Sequence, residues 1–533
     1  MMVGLRPLLW PGGLALVASP GLAVLALVAL LDAAPPGETE RLLDRYAIHV
    51  LAFTVLQATL STALSLVFAV PLARALARRP VFPGRGIVIR LFGIPLVLPA
   101  IVAVFGVVAV WGQNGAINTA LGTIGMKGLG PIYGLEGILI AHTFFNIPLA
   151  VRLLLPAWES IPGETWRLAA QLGMTSWPIF RLIEWPRLAE ILPGIAMLAF
   201  LLTFSSFTVV LALGGGPGAA TLEVAIYQAL RLDFDIVRAV FLALLQVVIC
   251  GAVAIVLFRF ARFSLSEAGA GRVTRRPDSH GLPGRIGDAL MIAAGIFWVG
   301  APLAGVAISG LGGPLTDVLA RQDVWLAALR SVLVGFGAGV VAVAVGLLLG
   351  ATTCDLAMRR HRRRLADVLE IAGSQTLIVS PVVLGAGLFV LLLGHVRVFD
   401  WALPLAALVN GLVSVPYVLR LVSPVLRRTA AHHDRLCANL GLAGIRRIVW
   451  LEGPLALRPL ATALALATAL AAGDLTAIAL FGTEREATLA LLLYRALGSY
   501  RMDEAAVIAL LLVLVCLAIF AAIEGLGRVA ART

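Results

Sequence analysis

The chain has 533 residues, of which 60% are hydrophobic and only 13% are charged. Its mean hydropathy is +0.99, so a water-soluble fold would leave a large apolar surface in contact with water. The composition therefore excludes an ordinary soluble protein and indicates that lipid is the main solvent. The net charge of +12 comes almost entirely from arginine, and its cause depends on where those arginines lie.

Apolar runs of about 20 residues recur along the whole chain, and each is long enough to cross about 30 Å of hydrocarbon as a helix. The first run follows Arg6 and is longer than the apolar core of a signal peptide, so we interpret it as a retained span. The sequence thus predicts an all-α, polytopic membrane protein with about twelve transmembrane helices. In chain order they lie near residues 11–31, 48–72, 88–111, 136–155, 193–213, 239–258, 288–309, 325–351, 370–393, 403–422, 459–481 and 505–524.

The basic residues are unevenly distributed between the loops that connect these spans. With the N-terminus inside, the inside segments carry 30 of the 41 basic residues, whereas the outside segments carry 16 of the 29 acidic residues. The positive-inside rule therefore predicts a multi-pass membrane protein with both termini in the cytoplasm. Topology explains the positive charge without nucleic acid, which we do not expect as a partner.

A polar segment at 262–286 is rich in Gly, Pro, Ser and Arg and lacks apolar periodicity, which predicts a flexible cytoplasmic linker. It divides the chain into a first repeat at 1–261 and a second at 287–533, each with six spans. Sliding one half over the other by 268 positions aligns eleven identical residues between positions 148 and 186. Because each half has an even number of spans, we expect two pseudo-symmetric halves with one orientation. The identical residues of the first half are Pro148, Arg152, Leu153, Pro156, Arg167, Leu168, Ala170, Leu172, Gly173, Glu184 and Pro186.

The strongest part of the repeat is a polar loop after the fourth span of each half, at 156–192 and at 424–458. The sequence Ile-Pro-Gly-Glu at 161–164 is typical of a helix start, since proline suits an early helical position and the acid favours the helix dipole. Gly173 and Gly441 are typical of the residue after a helix end, where φ is positive. The loop is therefore predicted to form two short amphipathic helices joined by a turn.

Leu168, Ala169 and Leu172 are expected to share one face of the first of these helices. A helix that rests on lipid headgroups would have a similar composition, so an interfacial role is the alternative. Lipid contact does not require the spacing of residues to be kept, however, and here the spacing from glycine to proline is the same in both copies. The duplication therefore favours a protein partner with two equivalent grooves.

The repeated loop resembles the EAA loop of ATP-binding-cassette importer permeases, in which Glu-Ala-Ala is followed at fixed spacing by glycine, a hydrophobic residue and proline. The resemblance implies two six-helix halves of the type I importer (MetI-like) fold in the bacterial inner membrane and loops that dock on a cytoplasmic ATPase homodimer. Arg167 and Arg435 stand where that family usually has glutamate, which we interpret as a changed salt-bridge partner. The candidate docking residues are Arg167, Ala169, Ala170, Gly173, Ile183 and Pro186, and in the second copy Arg435, Ala438, Gly441, Leu451 and Pro454.

Further stretches resemble the thiamine and thiamine-pyrophosphate branch of these permeases, which implies a periplasmic binding protein as a second partner and thiamine-like cargo moving into the cytoplasm. A ferric-iron permease has the same fused plan and stays open as an alternative. A twelve-span secondary carrier is another, but carriers usually have their signature between spans two and three. The stretches that carry the resemblance are 142–148, 152–155, 161–164, 168–174, 211–217, 221–230, 473–474 with 479–482, and 498–501.

Charged residues inside spans cost about 2.5–3.5 kcal/mol at the centre of a helix, so each requires a reason. Asp474 lies in the eleventh span, and its counterpart in the first half is Ser206. A carboxylate on the substrate pathway would attract a cationic thiazolium ring or aminopyrimidine. The alternative is a structural acid bonded to a neighbouring helix or to the backbone, or an acid near the outer interface. Phe204 and Phe207 are candidates for an aromatic gate, with ordinary packing as the alternative.

Motifs for catalysis and for metal or cofactor binding were not found. The chain has no Walker motif, no nucleophile–base constellation and no His-x-x-x-His array, and its four cysteines have no paired spacing. We therefore expect a transport subunit that is not an enzyme, that needs no cofactor or metal, and that relies on a separate subunit to hydrolyse ATP.

Overall fold

The computed structural model describes residues 21–32, 44–260, 276–279, 281–373, 379–442, 444–483 and 486–530. All regular structure in these residues is helical, which confirms the all-α prediction. The α-helices before residue 261 are α1 (Leu22–Asp32), α2 (Arg45–Arg78), α3 (Arg85–Leu91), α4 (Ala100–Trp111), α5 (Ala116–Thr123), α6 (Leu135–Glu159), α7 (Gly163–Gln171), α8 (Ser176–Ile179), α9 (Trp185–Phe204), α10 (Thr208–Leu213), α11 (Leu222–Arg231) and α12 (Ile236–Phe260). Those after it are α13 (Leu282–Gly312), α14 (Leu315–Leu319), α15 (Gln322–Cys354), α16 (Arg363–Gly373), α17 (Pro381–Leu392), α18 (Ala402–Asn439), α19 (Ile445–Arg447), α20 (Gly453–Ala472), α21 (Thr476–Phe481), α22 (Leu489–Gly498) and α23 (Met502–Ala530).

Ten helices of the described part of the chain are long and apolar enough to cross a membrane, which confirms a polytopic architecture. Two predicted spans are not among them. Of the run at 11–31 the structure describes only α1 and the residue before it, and the run at 370–393 is divided between α16 and the twelve-residue α17. Pro381 starts α17 because it lacks the N–H that a continuous helix needs, and Ser380 Oγ accepts from the Val383 amide at 3.2 Å. The count of twelve spans stays a prediction.

The span predicted at 88–111 is not one helix either, because α3 ends at Leu91 and α4 begins at Ala100. Two further predicted spans are interrupted at equivalent places in the two halves of the sequence. The span at 193–213 consists of α9 and α10, and the span at 459–481 consists of α20 and α21. The breaks, at 205–207 and 473–475, coincide when the two halves of the sequence are aligned on their polar loops. The prediction of one continuous helix is therefore wrong at both places. Ser-Ser in the first break and Gly-Asp in the second favour helix ends, because their side chains or backbone freedom compete with helical hydrogen bonding.

Small residues allow the long helices around the second loop to pack closely. Gly339 of α15 lies so near to α20 that an added Cβ would be 2.3 Å from Thr468 Oγ1. Gly346 of α15 lies against Val418 of α18, where the same atom would be 2.6 Å from the valine side chain. Close backbone approach of this kind stabilises helix pairs in lipid, where the hydrophobic effect does not drive association. It brings α15 close to both α18 and α20, the helices that lead into and out of the second loop.

The predicted linker at 262–286 is only partly described. Residues 261–275 and 280 lie outside the described residues, so the expected flexibility is not tested there. Residues 276–279 include a short 3-10 turn, Pro277–Ser279, and the last part of the predicted linker already belongs to α13. The side chain of Arg276 is 5% exposed, which means that this part of the linker is packed against the rest of the molecule.

Candidate functional site

The first polar loop contains the two short helices that its sequence predicts. Its first residues are the end of α6, which stops at Glu159, and α7 and α8 follow. The backbone after α7 turns at Gly173, which has φ of 61°. The Gly173 amide donates to the Ala170 carbonyl at 3.1 Å and the Met174 amide to the Ala169 carbonyl at 3.0 Å. This is a Schellman cap, in which positive φ favours glycine because a Cβ would be strained.

The second polar loop has the same cap, with an equivalent pair of hydrogen bonds. Gly441 has φ of 65°, and its amide donates to the Ala438 carbonyl at 3.3 Å. The Leu442 amide donates to the Cys437 carbonyl at 2.9 Å. A π-helical turn also recurs at the same offset, as Phe180–Glu184 before α9 and as Ile448–Glu452 before α20. The two loops therefore share their cap and their exit into the next long helix.

The two loops differ in the helical segment that precedes the cap. In the second loop this segment is the end of α18, which is unbroken over 38 residues, so the prediction of a separate short helix is wrong there. Pro162 and Gly163 interrupt the first loop, because proline cannot donate to the helix and glycine disfavours its interior. Ala430 and Ala431 occupy the equivalent positions of the second loop and continue the helix.

Each loop presents a pair of leucines to the surroundings just before the capping glycine. The exposed fractions are 56% for Leu168, 68% for Leu172, 51% for Leu436 and 64% for Leu440. Ala169 and the equivalent Cys437 are each only 1% exposed. The expectation that Ala169 shares a face with the leucines is therefore wrong, since it lies about 100° around the helix from its neighbour Leu168. Ala169 packs inward, and the leucine pair forms the outer face.

The remaining candidate docking residues lie around this face. Arg167 and Arg435 are exposed, and neither forms an ion pair with a described residue. The prolines of the motif lie in the first turns of α9 and α20. Proline is tolerated there because the N–H groups of the first turn have no partner within the helix. The set is completed by four exposed residues, Ala170, Ala438, Pro186 and Pro454, and two half-buried ones, Ile183 and Leu451.

Sequence reasoning did not identify the buried carboxylates behind the loops as site residues. Glu184 and Glu452, the last residues of the two π-helical turns, are 0% and 2% exposed. Arg74 Nε donates to Glu184 at 2.5 Å, and Arg359 Nη2 donates to Glu452 at 2.8 Å. Arg74 lies in the last part of α2, and Arg359 ends the turn that follows α15. Each ion pair therefore connects one loop to the end of a long helix.

Asp474 lies in the break between α20 and α21. Its Oδ1 accepts from Thr476 Oγ1 at 3.0 Å and its Oδ2 from the Ala477 amide at 3.2 Å. The carboxylate therefore binds two groups in the first turn of α21 and stabilises the start of that helix. This is the bonding expected of a structural acid, while a role of its charge in transport stays a prediction.

The three candidate pathway residues of the first half lie at the equivalent break. Ser206 is half-buried, whereas Phe204 and Phe207 are 0% and 3% exposed. The Phe204 ring lies 5.6 Å from that of Phe200, and the Phe207 ring meets Tyr227 edge-on at 5.4 Å. Both phenylalanines are packed in the core, as the packing alternative predicts. The aromatic gate stays a prediction.

Curated relatives align with nearly the whole chain. The thiamine transport system permease protein ThiP of Brucella abortus (strain 2308) is 44% identical over 515 residues, which cover 95% of this chain and 93% of the relative. The chain belongs to the thiamine transport system permease family. The protein of the same name from Escherichia coli (strain K12) is 42% identical to this permease over 487 residues, 91% and 90% of the two chains. That from Haemophilus influenzae is 36% identical over 496 residues, 90% and 89% of the two chains.

Family membership and the ten apolar helices together establish the permease as a multi-pass membrane protein. These three relatives are named for thiamine, so the ferric-iron alternative gains no support from them. No protein-family model and no solved structure matches the permease.

Proposed function

We propose that the permease is the membrane subunit of an ATP-binding-cassette importer that moves thiamine, its phosphates or both from the periplasm to the cytoplasm. The names and the near full-length similarity of its relatives support this cargo. A separate cytoplasmic ATPase homodimer supplies the energy, and a periplasmic binding protein delivers the cargo. The protein lies in the bacterial inner membrane.

The observation that carries the proposal is the pair of equivalent exposed leucine faces. Leu168 and Leu172 precede one capping glycine, and Leu436 and Leu440 precede the other with the same cap geometry. An exposed apolar face beside charged residues is typical of a surface that binds another protein. Two equivalent faces on one chain fit the two identical subunits of a homodimer, since each subunit offers the same groove.

We further propose that residues 1–261 and 287–533 are two halves of equal orientation, joined by a linker at 262–286. The excess of arginine supports a cytoplasmic location for both docking loops and both termini. The pairing of the halves is supported by a single sequence offset, at which the caps, the π-helical turns and the helix breaks all recur.

The buried ion pairs behind the loops offer a route for mechanical coupling. When ATP closes the ATPase dimer, each docked loop moves, and the pair Arg74–Glu184 or Arg359–Glu452 transfers that movement to the end of α2 or to the turn after α15. We propose that the cargo passes beside the breaks at Ser206 and Asp474, because discontinuous helices line substrate sites in many transporters. Phe204 and Phe207 would then pack behind the pathway.

The docking role is tested by charge substitutions on the leucine faces. Leu172→Glu and Leu440→Glu place a carboxylate where an apolar groove is expected, and their combination should abolish co-purification of the ATPase and uptake of labelled thiamine. Leu232→Glu is the matched control, because this leucine is 61% exposed but lies outside both loops. Normal ATPase co-purification with the double variant would overturn the docking proposal.

The cargo is tested by uptake in a strain that lacks the gene and then regains it. We expect the regained gene to restore uptake of labelled thiamine. Unlabelled thiamine or thiamine pyrophosphate should compete with that uptake, and ferric iron should not affect it. Restoration of iron uptake instead would establish the alternative.

A further inference from the structure

Four charged side chains form a closed ring behind the second loop. Glu452 binds Arg359 at 2.8 Å and Arg447 at 2.9 Å, and Asp434 binds Arg359 at 3.0 Å and also contacts Arg447. Arg447 and Glu452 are 5% and 2% exposed. Two acids alternate with two guanidinium groups in the ring, and Asp355 binds Arg359 from outside it at 3.1 Å. Pairing of this kind is the condition under which buried charges are tolerated. Asp434, Arg447 and Glu452 all belong to the loop itself.

The first loop has a ring of the same composition, but it is assembled from different segments. Glu184 binds Arg74 at 2.5 Å and also contacts Arg276. Asp278 binds Arg276 Nε at 3.1 Å and lies 3.7 Å from Arg74 Nη2, which closes the ring. Only Glu184 belongs to the loop. Arg276 and Asp278 both come from the linker, and the side chain of Asp278 is fully buried.

The difference between the rings follows from two positions in the repeat. When the two halves are aligned on their capping glycines, Asp434 and Arg447 correspond to Trp166 and Ile179, neither of which carries a charge. Both of these side chains are buried, at 4% and 0% exposure. The Arg276 guanidinium lies 4.2 Å from the centroid of the Trp166 ring, so the tryptophan binds the arginine that takes the place of Arg447.

We propose that Arg276 and Asp278 are positioning residues of the first docking loop, supplied by the linker in place of the Asp–Arg pair that the second loop carries within itself. They hold Glu184 and Trp166 so that movement of the loop reaches Arg74 and α2. The inference rests on the proposed docking function. It assigns the part of the linker before α13 a role in coupling.

The linker segment also binds the end of α2, which in turn binds α13. Asp278 binds Arg78 at 3.0 Å, and Arg78 and Arg79 bind Asp288 of α13 at 3.3 and 3.0 Å. Burial by itself raises the pKa of Asp278, but the hydrogen bond from Arg276 and the charges of Arg276, Arg78 and Arg74 outweigh it and lower the pKa below its ordinary value. The stability that this carboxylate contributes is present at neutral pH and is lost only as pH falls through the lowered pKa.

The test is a charge-neutral double variant, Arg276→Ala with Asp278→Ala. The readout is the amount of thiamine transported per ATP hydrolysed by the permease in proteoliposomes with its ATPase and binding protein. We expect this ratio to fall about tenfold, because Glu184 and Arg74 lose half of their buried ring. The control is Arg397→Ala with Asp400→Ala, which removes an exposed ion pair and should leave the ratio unchanged. A wild-type ratio in the linker variant would overturn the proposal.

A rescue experiment separates positioning from general destabilisation. Adding Trp166→Asp and Ile179→Arg to the linker variant supplies the missing pair from within the loop, and the transport ratio should recover. Arg276→Lys keeps the charge but loses the planar contact with Trp166, and it should give an intermediate ratio without loss of folding. A wild-type ratio with Arg276→Lys would contradict the inference. So would the absence of recovery in a rescued variant that inserts into the membrane normally.

These outcomes also distinguish the inference from the docking proposal. If Leu172→Glu with Leu440→Glu abolishes ATPase binding while the linker variant transports normally, only the role of the linker is wrong. If the leucine variants bind the ATPase normally, the docking proposal itself is wrong.

Discussion

At the scale of single residues, Gly173 and Gly441 are the positions where backbone conformation decides the shape of a loop. Among the described residues beyond its chain neighbours, no heavy atom lies within 4 Å of a Cβ added at either glycine, so substitution is opposed by positive φ and not by lack of space. Valine should cost about 1–3 kcal/mol of local strain, whereas asparagine tolerates this conformation. We expect Gly173→Val or Gly441→Val to reduce thiamine uptake at normal membrane insertion and the asparagine variants to retain most of it. Equal uptake by the valine and asparagine variants would contradict the role of the cap.

Asp474 allows a second test at this scale, because capping and charge can be separated. Asp474→Asn keeps an oxygen that accepts from the Ala477 amide, and Asp474→Ala removes it. We expect the alanine variant to lose about 1 kcal/mol of stability, measured as a lower thermal midpoint in detergent, and the asparagine variant to keep both stability and uptake. Impaired uptake by a stable asparagine variant would instead support a charge that acts on the cargo.

At the scale of elements, the two loops show how a short sequence difference changes a helix. Ala430 lies within the unbroken α18, while the equivalent Pro162 separates α6 from α7. Ala430→Pro should cost about 3 kcal/mol, because it removes a helical hydrogen bond and clashes with the preceding turn. Pro162→Ala should change stability little. Thermal unfolding of both variants in detergent checks this, and an unchanged midpoint for Ala430→Pro would argue against the continuity of α18.

The elements also show what the sequence predicts and what it does not. Apolar length predicts the long helices because burial in lipid depends on composition, and glycine in a polar context predicts both caps. The breaks at Ser206 and Asp474 are not predicted, because they interrupt helices whose mean hydropathy stays high. The ion pairs are missed because Arg74 lies farther before its capping glycine than Arg359 does before its own, so no common spacing relates them. Contacts between segments that lie far apart in the sequence, at different distances in the two copies, can be identified only once the fold is known.

At the scale of the whole molecule, the proposed orientation predicts which residues each side of the membrane can reach. Single cysteines at Leu168 and Leu436 should react with an impermeant maleimide in inverted vesicles only, and cysteines at Phe234 and Tyr500 in spheroplasts only. All four residues are exposed, from 51% to 75%, and the four native cysteines are buried, so background labelling should be low. Labelling of the two loops from opposite sides would rule out halves of equal orientation.

The origin of the first ring also bears on how the permease is made. The ribosome completes the first loop before it reaches residue 276, so Glu184 and Arg74 are synthesised before two of their partners. The second loop, by contrast, needs nothing synthesised after Glu452 to close its own ring. Synthesis of residues 276–278 therefore sets the earliest moment at which the first ring can close. A chain that stops before residue 276 lacks two of the four members of that ring.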